Sequence, residues 1–153
     1  MKNGKLGCLY QTELLTFKHL IMKAIRFEDL EIWKNARALC KKIRLTMDSS
    51  SLGKDYPLKD QILRSSGSCM DNIAEGFERD GNKEFRNFLY IAKGSAGETR
   101  SQVYRAFDSG HYSNEVFQEL LNDCMSLSRQ ISGFINSLNH SSHLGLKNKP
   151  PET

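Results

Sequence analysis

The chain has 153 residues, 39% of them hydrophobic and 26% charged, with a formal net charge of +4. That length suits one domain with its own core, and the composition excludes a mainly disordered chain. No run reaches the roughly eighteen apolar residues that span a bilayer, and the stretch 14–22 is interrupted by Lys18 and His19 and lacks a small-residue cleavage site, so a cytoplasmic protein with no membrane association is expected.

Residues 1–26 lack sustained periodicity and hold five basic residues against one acidic, a balance equal to the whole net charge. They are expected to form an arm outside the folded body, with Met22 as an alternative start. From Phe27 the apolar residues recur at three and four: Leu30, Trp33, Ala36, Leu39 with Cys40, Ile43 and Met47. This spacing lays them along one side of a helix. Glu28, Asp29 and Glu31 occupy its first turn, where carboxylates complement the helix dipole, and a serine-rich stretch closed by Gly53 ends it.

Asp55, Tyr56 and Pro57 read as the start of a second helix, striped by Leu58, Ile62, Ser66, Cys69, Ile73 and Phe77. Arg79, Asp80, Gly81 and Asn82 form a short turn in which Asn82 is expected to cap the third helix. That helix carries Phe85, Phe88 with Leu89, Ala92, Ala96, Thr99, Val103 and Ala106, and stops at Ser109 and Gly110. Ser113 or Asn114 is expected to cap the fourth, striped by Phe117, Leu120, Leu121, Cys124, Leu127, Ile131, Phe134, Ile135 and Leu138. Residues 140–153 read as a flexible tail. Four amphipathic segments on short links, with no strand-like alternation, predict an all-α, antiparallel up-down four-helix bundle over residues 27–139.

Two tracts depart from a plain bundle: Ser65, Ser66, Gly67, Ser68 in the second helix and Gly94, Ser95, Ala96, Gly97 in the third. Each interior glycine costs about 0.8–1 kcal/mol against alanine. Both tracts stand at a similar distance from the turn at Gly81, so they oppose each other in an antiparallel hairpin. Close approach of the two helices is the expected reason, and room for a ligand or another subunit the competing one. The second helix also bears a polar stripe, Gln61, Ser65, Ser68, Asn72, Glu75 and Arg79, with Arg64 beside it. It is expected to be a hydrogen-bonded seam serving a subunit contact, or a solvated face. Lys42 reads as an ordinary surface residue.

Cys8, Cys40, Cys69 and Cys124 have neither metal-ligand nor redox spacing and read as reduced thiols, three of them in the core. His19, His111, His140 and His143 fall in predicted tails and a loop, where no core positions them. No Glu-x-x-His pair, His-Glu-x-x-His motif or phosphate-cradling loop is present. No cofactor, metal or enzymatic activity is expected.

The run Gln61-x-x-Arg64-x-x-x-Ser68-x-x-Asp71-Asn72-Ile73-Ala74-Glu75-Gly76-Phe77-x-Arg79, with Phe85, Phe88-Leu89-Tyr90-Ile91-Ala92-Lys93-Gly94-Ser95 and Glu98, resembles a bacterial four-helix-bundle family first noticed as proteins encoded by intervening sequences within 23S ribosomal RNA genes. The opening Phe27-x-Asp29-Leu30-x-Ile32-Trp33 and the pair Tyr56-Pro57 match as well. Lys93 stands where the family usually has arginine, and Gly97-Glu98-Thr99 replaces a more leucine-rich stretch. The resemblance implies a protomer that assembles into a ring, typically a homopentamer, and associates loosely with nucleic acid. The accessory protein of diversity-generating retroelements is similar in fold and works with a reverse transcriptase and its RNA.

The helix-packing or oligomer seam is accordingly expected at Arg64, Ser68, Asn72, Glu75, Gly76, Arg79, Gly94, Ser95 and Glu98. Two basic rows, Lys34, Arg37, Lys41 and Arg44 on the first helix and Arg86, Lys93 and Arg100 on the third, are the expected RNA-binding residues. Residues 27–139 are nearly neutral, with fifteen basic and sixteen acidic residues, so only such local rows can count. The alternative is a protein-interaction module that binds no nucleic acid.

Overall fold

The computed structural model describes residues 24–79 and 81–140. The expectations for residues 1–23, including Cys8, His19 and Met22, for Asp80, for the side chain of His140 and for residues 141–153 lie outside the described residues. Among the described residues the chain forms four α-helices, α1 (Glu31–Ser49), α2 (Tyr56–Glu78), α3 (Asn82–Asp108) and α4 (Asn114–His140). One 3-10 turn, Phe27–Asp29, leads into α1 and another, Ser51–Lys54, joins α1 to α2. Each helix packs on its neighbours in sequence and α4 returns to α1, closing the four-helix bundle; the α2–α3 side is the most extensive and the α1–α4 side the least.

The predicted stripes meet in one core. Ile43, Leu52, Ile62, Ile73, Leu89, Val103, Leu120 and Ile131 are fully buried. Phe85 lies at the centre, with Phe77 and Phe134 packed edge-on at 5.9 and 5.4 Å. Cys69 and Cys124 are buried in it, and burial pushes both thiols up to about 12.

α1 begins later than the apolar spacing predicts. Asp29 Oδ2 accepts the N–H groups of Ile25 and Arg26, both at 3.1 Å. That carboxylate wraps the preceding backbone into the 3-10 turn, and Leu30 is extended, so helical geometry starts only at Glu31. Asp55 caps α2 as expected, its Oδ1 accepting the Leu58 N–H at 3.2 Å, and Ser113 Oγ caps α4 by accepting from Val116 N–H at 3.3 Å. The α3 cap differs from expectation. Gly81, at φ 120°, holds the cap position, and Asn82 falls inside the first turn with its Oδ1 buried and unpaired. The chain reverses direction through an angle open to glycine, which leaves Asn82 one position too late.

The glycine tracts also depart from the reading of close packing. A Cβ added at Gly67, Gly94 or Gly97 would meet nothing within 4 Å. These glycines face outward, one or two positions from the residues that make the contact: Ser65, Ser66, Ala96 and Thr99 are at most 3% exposed. The tight approach is nearer the turn, at Gly76, where an added Cβ would stand 2.5 Å from Phe88 Cβ and 2.9 Å from Phe85 Cδ2.

Candidate functional site

The polar stripe of α2 faces α3 within the protomer. Ser65 Oγ donates to Gln102 Oε1 and accepts from Thr99 Oγ1 at 2.8 Å. Ser68 and Ser95 share a hydroxyl contact at 3.1 Å, and Asn72 Nδ2 donates back to the Ser68 carbonyl at 2.7 Å. At one end Arg105 donates to Gln61 at 2.6 Å. At the other, Arg79 pairs with Glu75 at 2.7 Å and lies 5.0 Å over the Phe88 ring. Glu98 accepts from Gln102 Nε2 at 3.3 Å. The seam thus satisfies its buried polar groups between two helices of one chain. Arg64 stands on the exposed side of α2 and Gly94 on that of α3, so neither belongs to the seam. Thr99 and Gln102 do, and the seven-residue spacing Phe88, Ser95, Gln102 sets Gln102 on the row of Ser95.

The basic rows lie on different sides of the bundle. Lys34, Arg37, Lys41 and Arg44 are all exposed on the outward side of α1. Lys34 is paired with Glu31 at 2.7 Å and Arg37 lies 5.7 Å over Trp33. Arg86, Lys93 and Arg100 run along the side of α3 nearest α4. Arg86 donates to Asn139 Oδ1 at 2.8 Å, and Arg100 is near enough to Cys124 to act on its thiol. Among the described residues none of Lys41, Arg44, Arg86, Lys93 and Arg100 forms an ion pair, whereas Arg26, Lys34, Lys42 and Arg79 do.

Lys42 is more than a surface residue. Its Nζ reaches Glu119 at 2.7 Å and also Asp123, and those carboxylates raise its pKa. Beside it Asn35 donates to Gln130 at 2.7 Å. These contacts tie α1 to α4 and take up two carboxylates of α4.

His111 is likewise positioned, against expectation. Gly110, at φ 74°, ends α3 and lets the His111 N–H reach the Ala106 carbonyl at 2.9 Å. Its ring then bridges Ser51 Oγ (Nδ1, 2.7 Å) and Asp55 Oδ2 (Nε2, 3.1 Å). The Leu58 N–H and then His111 hold the Asp55 carboxyl below its ordinary value. The arrangement pins the α3–α4 loop to the α1–α2 connection, since Asp55 is at once the α2 cap and the histidine's partner.

No described helix is long and apolar enough to cross a membrane, and no described group of His, Cys, Asp and Glu could hold a metal.

No curated protein matches the sequence. The fold is similar to a solved structure from Bacteroides thetaiotaomicron, described as a protein with unknown function from the S23 ribosomal protein family. The TM-score is 0.63 at 21% identity, over 68% of this chain and 97% of that one. The family described as 23S rRNA-intervening sequence protein matches residues 28–133, which take in all of α1, α2 and α3 and most of α4. The chain belongs to the family of 23S rRNA-intervening sequence proteins.

Proposed function

We propose that this chain is a non-enzymatic bundle that assembles into a homo-oligomeric ring, a pentamer by the family resemblance, and binds RNA through its unpaired cations. The observation that carries the reading is selective pairing. Carboxylates neutralise the cations at Lys42 and Arg79, while Lys41 and Arg44 on one side and Lys93 and Arg100 on another have none. Repeated around a ring, such rows would bind phosphates without regard to sequence and weaken with salt. A reverse transcriptase, as for the retroelement accessory protein, is the kind of partner such a ring would serve.

A second reading, an interaction module that binds no nucleic acid, draws on Gly67 and Ala74. Both stand on the outward side of α2, and Gly67 has open space where another helix could approach. Gel shifts with RNA at low and moderate salt, together with the particle mass in solution, separate the two. Binding that falls with salt and weakens when Lys41 and Arg44 are changed to alanine supports the first. An oligomer that shifts no RNA at low salt supports the second.

A further inference from the structure

We infer that the side of α3 next to α4 is a track for a single-stranded nucleic acid, with phosphates held by Arg86, Lys93 and Arg100 and bases stacked on Tyr90 and Tyr104. The inference rests on the nucleic-acid reading above and names the form of strand that this site takes. Positions 86, 90, 93, 97, 100 and 104 fall within an arc of about 80° on a helix and run over about 27 Å. In order they are cation, tyrosine, cation, glycine, cation, tyrosine.

Both rings are available. Tyr90 is 53% exposed and has no ring contact or hydrogen bond among the described residues. Tyr104 is 46% exposed and rests edge-on against Phe117 at 5.1 Å, which fixes the ring while leaving much of it uncovered. Between them Gly97 has no side chain, and a Cβ there would meet nothing within 4 Å. No packing inside the protomer calls for a glycine at that point, whereas a strand lying along the helix gains a low place to cross.

Along the arc the charge is positive from Arg86 to Arg100, and Asp108, one turn beyond Tyr104, ends the track. Glu84 and Glu98 belong to the row of α3 that includes Phe88, Ser95 and Gln102 and faces α2, and Glu98 accepts from Gln102. On α4, Glu119 and Asp123 are turned to α1 and occupied by Lys42. None of the track's three cations forms an ion pair among the described residues.

The tyrosines select the form of the strand. Stacking on an aromatic side chain needs an unpaired base, because a duplex keeps its base faces inside and presents only phosphate and groove edges to a straight helix. One ring between two cations and a second just past the third, at intervals of a turn or two, match a strand whose bases are splayed out.

The test is fluorescence anisotropy of the full chain with a labelled oligouridine RNA, an oligothymidine DNA of equal length and a duplex RNA, each over a salt series. Both single strands should bind at least tenfold tighter than the duplex. Tyr90→Ala should weaken them about 5- to 150-fold, the range for losing one stacked base, with an unchanged salt slope; Tyr90→Phe should restore binding. Lys93→Ala and Arg100→Ala should each flatten the slope by about 0.7. Gly97→Leu, at a position where an added Cβ meets nothing within 4 Å, should block the track. Duplex binding as tight as single-strand binding, or a Tyr90→Ala chain that binds normally, overturns this inference alone. Failure of every ligand to bind at low salt overturns the RNA reading with it. A change in particle mass on Tyr90→Ala, with binding intact, assigns the face to a second copy of the chain and likewise overturns it.

Discussion

Gly76 and Gly94 are both interior glycines of long helices, yet their surroundings give opposite expectations. At Gly76 the space for a methyl group is taken by the Cβ of Phe88, an atom too close to its own backbone to swing aside. Gly76→Ala should therefore destabilise the protein by about 1–3 kcal/mol through overpacking. At Gly94 nothing stands in the way, and Gly94→Ala should stabilise by about 0.4–1 kcal/mol as the unfolded chain loses freedom. Chemical denaturation of the two variants checks the pair. The sequence places the two differently, since Gly76 follows Cys69 by seven and Ile73 by three on the apolar stripe of α2 whereas Gly94 shares its row with Asn87, Tyr90 and Glu98; that the stripe meets Phe88 at Gly76 is decided by the packing alone. The buried thiols were easier to read, since their places on apolar stripes suffice. With pKa values near 12, Cys69 and Cys124 should resist alkylation by iodoacetamide at pH 8 until the fold is opened with denaturant, as peptide mapping would register.

At the scale of elements, the caps explain how the helices meet their loops, and one of them carries a pH dependence. Asp55 caps α2 and receives His111, and its folded pKa lies below the ordinary 3.8. A carboxylate shifted this way stabilises the fold above its unfolded value and loses that contribution as the pH falls through the lower, folded one. Asp55→Ala should thus lower the melting temperature at pH 7, and the gap from the parent should shrink on acidification below about pH 4. A gap that stays constant with pH would show that the charge is not involved. The helix count, the stripes and the Asp55 and Ser113 caps were legible because they depend on local spacing and on side chains that reach their own backbone. The cap of α3 lies outside that local rule, because a glycine one residue before Asn82 takes the role through its backbone. The seam was half legible: the α2 stripe announces a need for partners, but that α3 supplies them depends on Thr99, which reads as a core residue, and on Gln102, which stands outside the apolar stripe.

Across the whole molecule, the two basic rows were visible as residues and invisible as sides. Sequence spacing puts Arg86, Lys93 and Arg100 in line, but their freedom from carboxylates depends on Glu119 and Asp123 turning toward α1. Lys42 is what holds those carboxylates there. Lys42→Ala leaves two like charges one turn apart without a counter-ion, and should lower the melting temperature more than Lys41→Ala, whose side chain has no ionic partner. Equal effects would mean that the fork contributes nothing.

The uneven sides of the bundle have a further consequence. α2 and α3 share the widest contact and α1 and α4 the narrowest, and the narrow side is closed by the Lys42 fork and the bond from Asn35 to Gln130. A molecule built this way opens like a book whose spine is the central hairpin. In deuterium exchange the amide protons of α1 should be replaced first and those around Leu89 and Ile73 last, so that the first helix acts as a hinged cover over a core that persists beneath it.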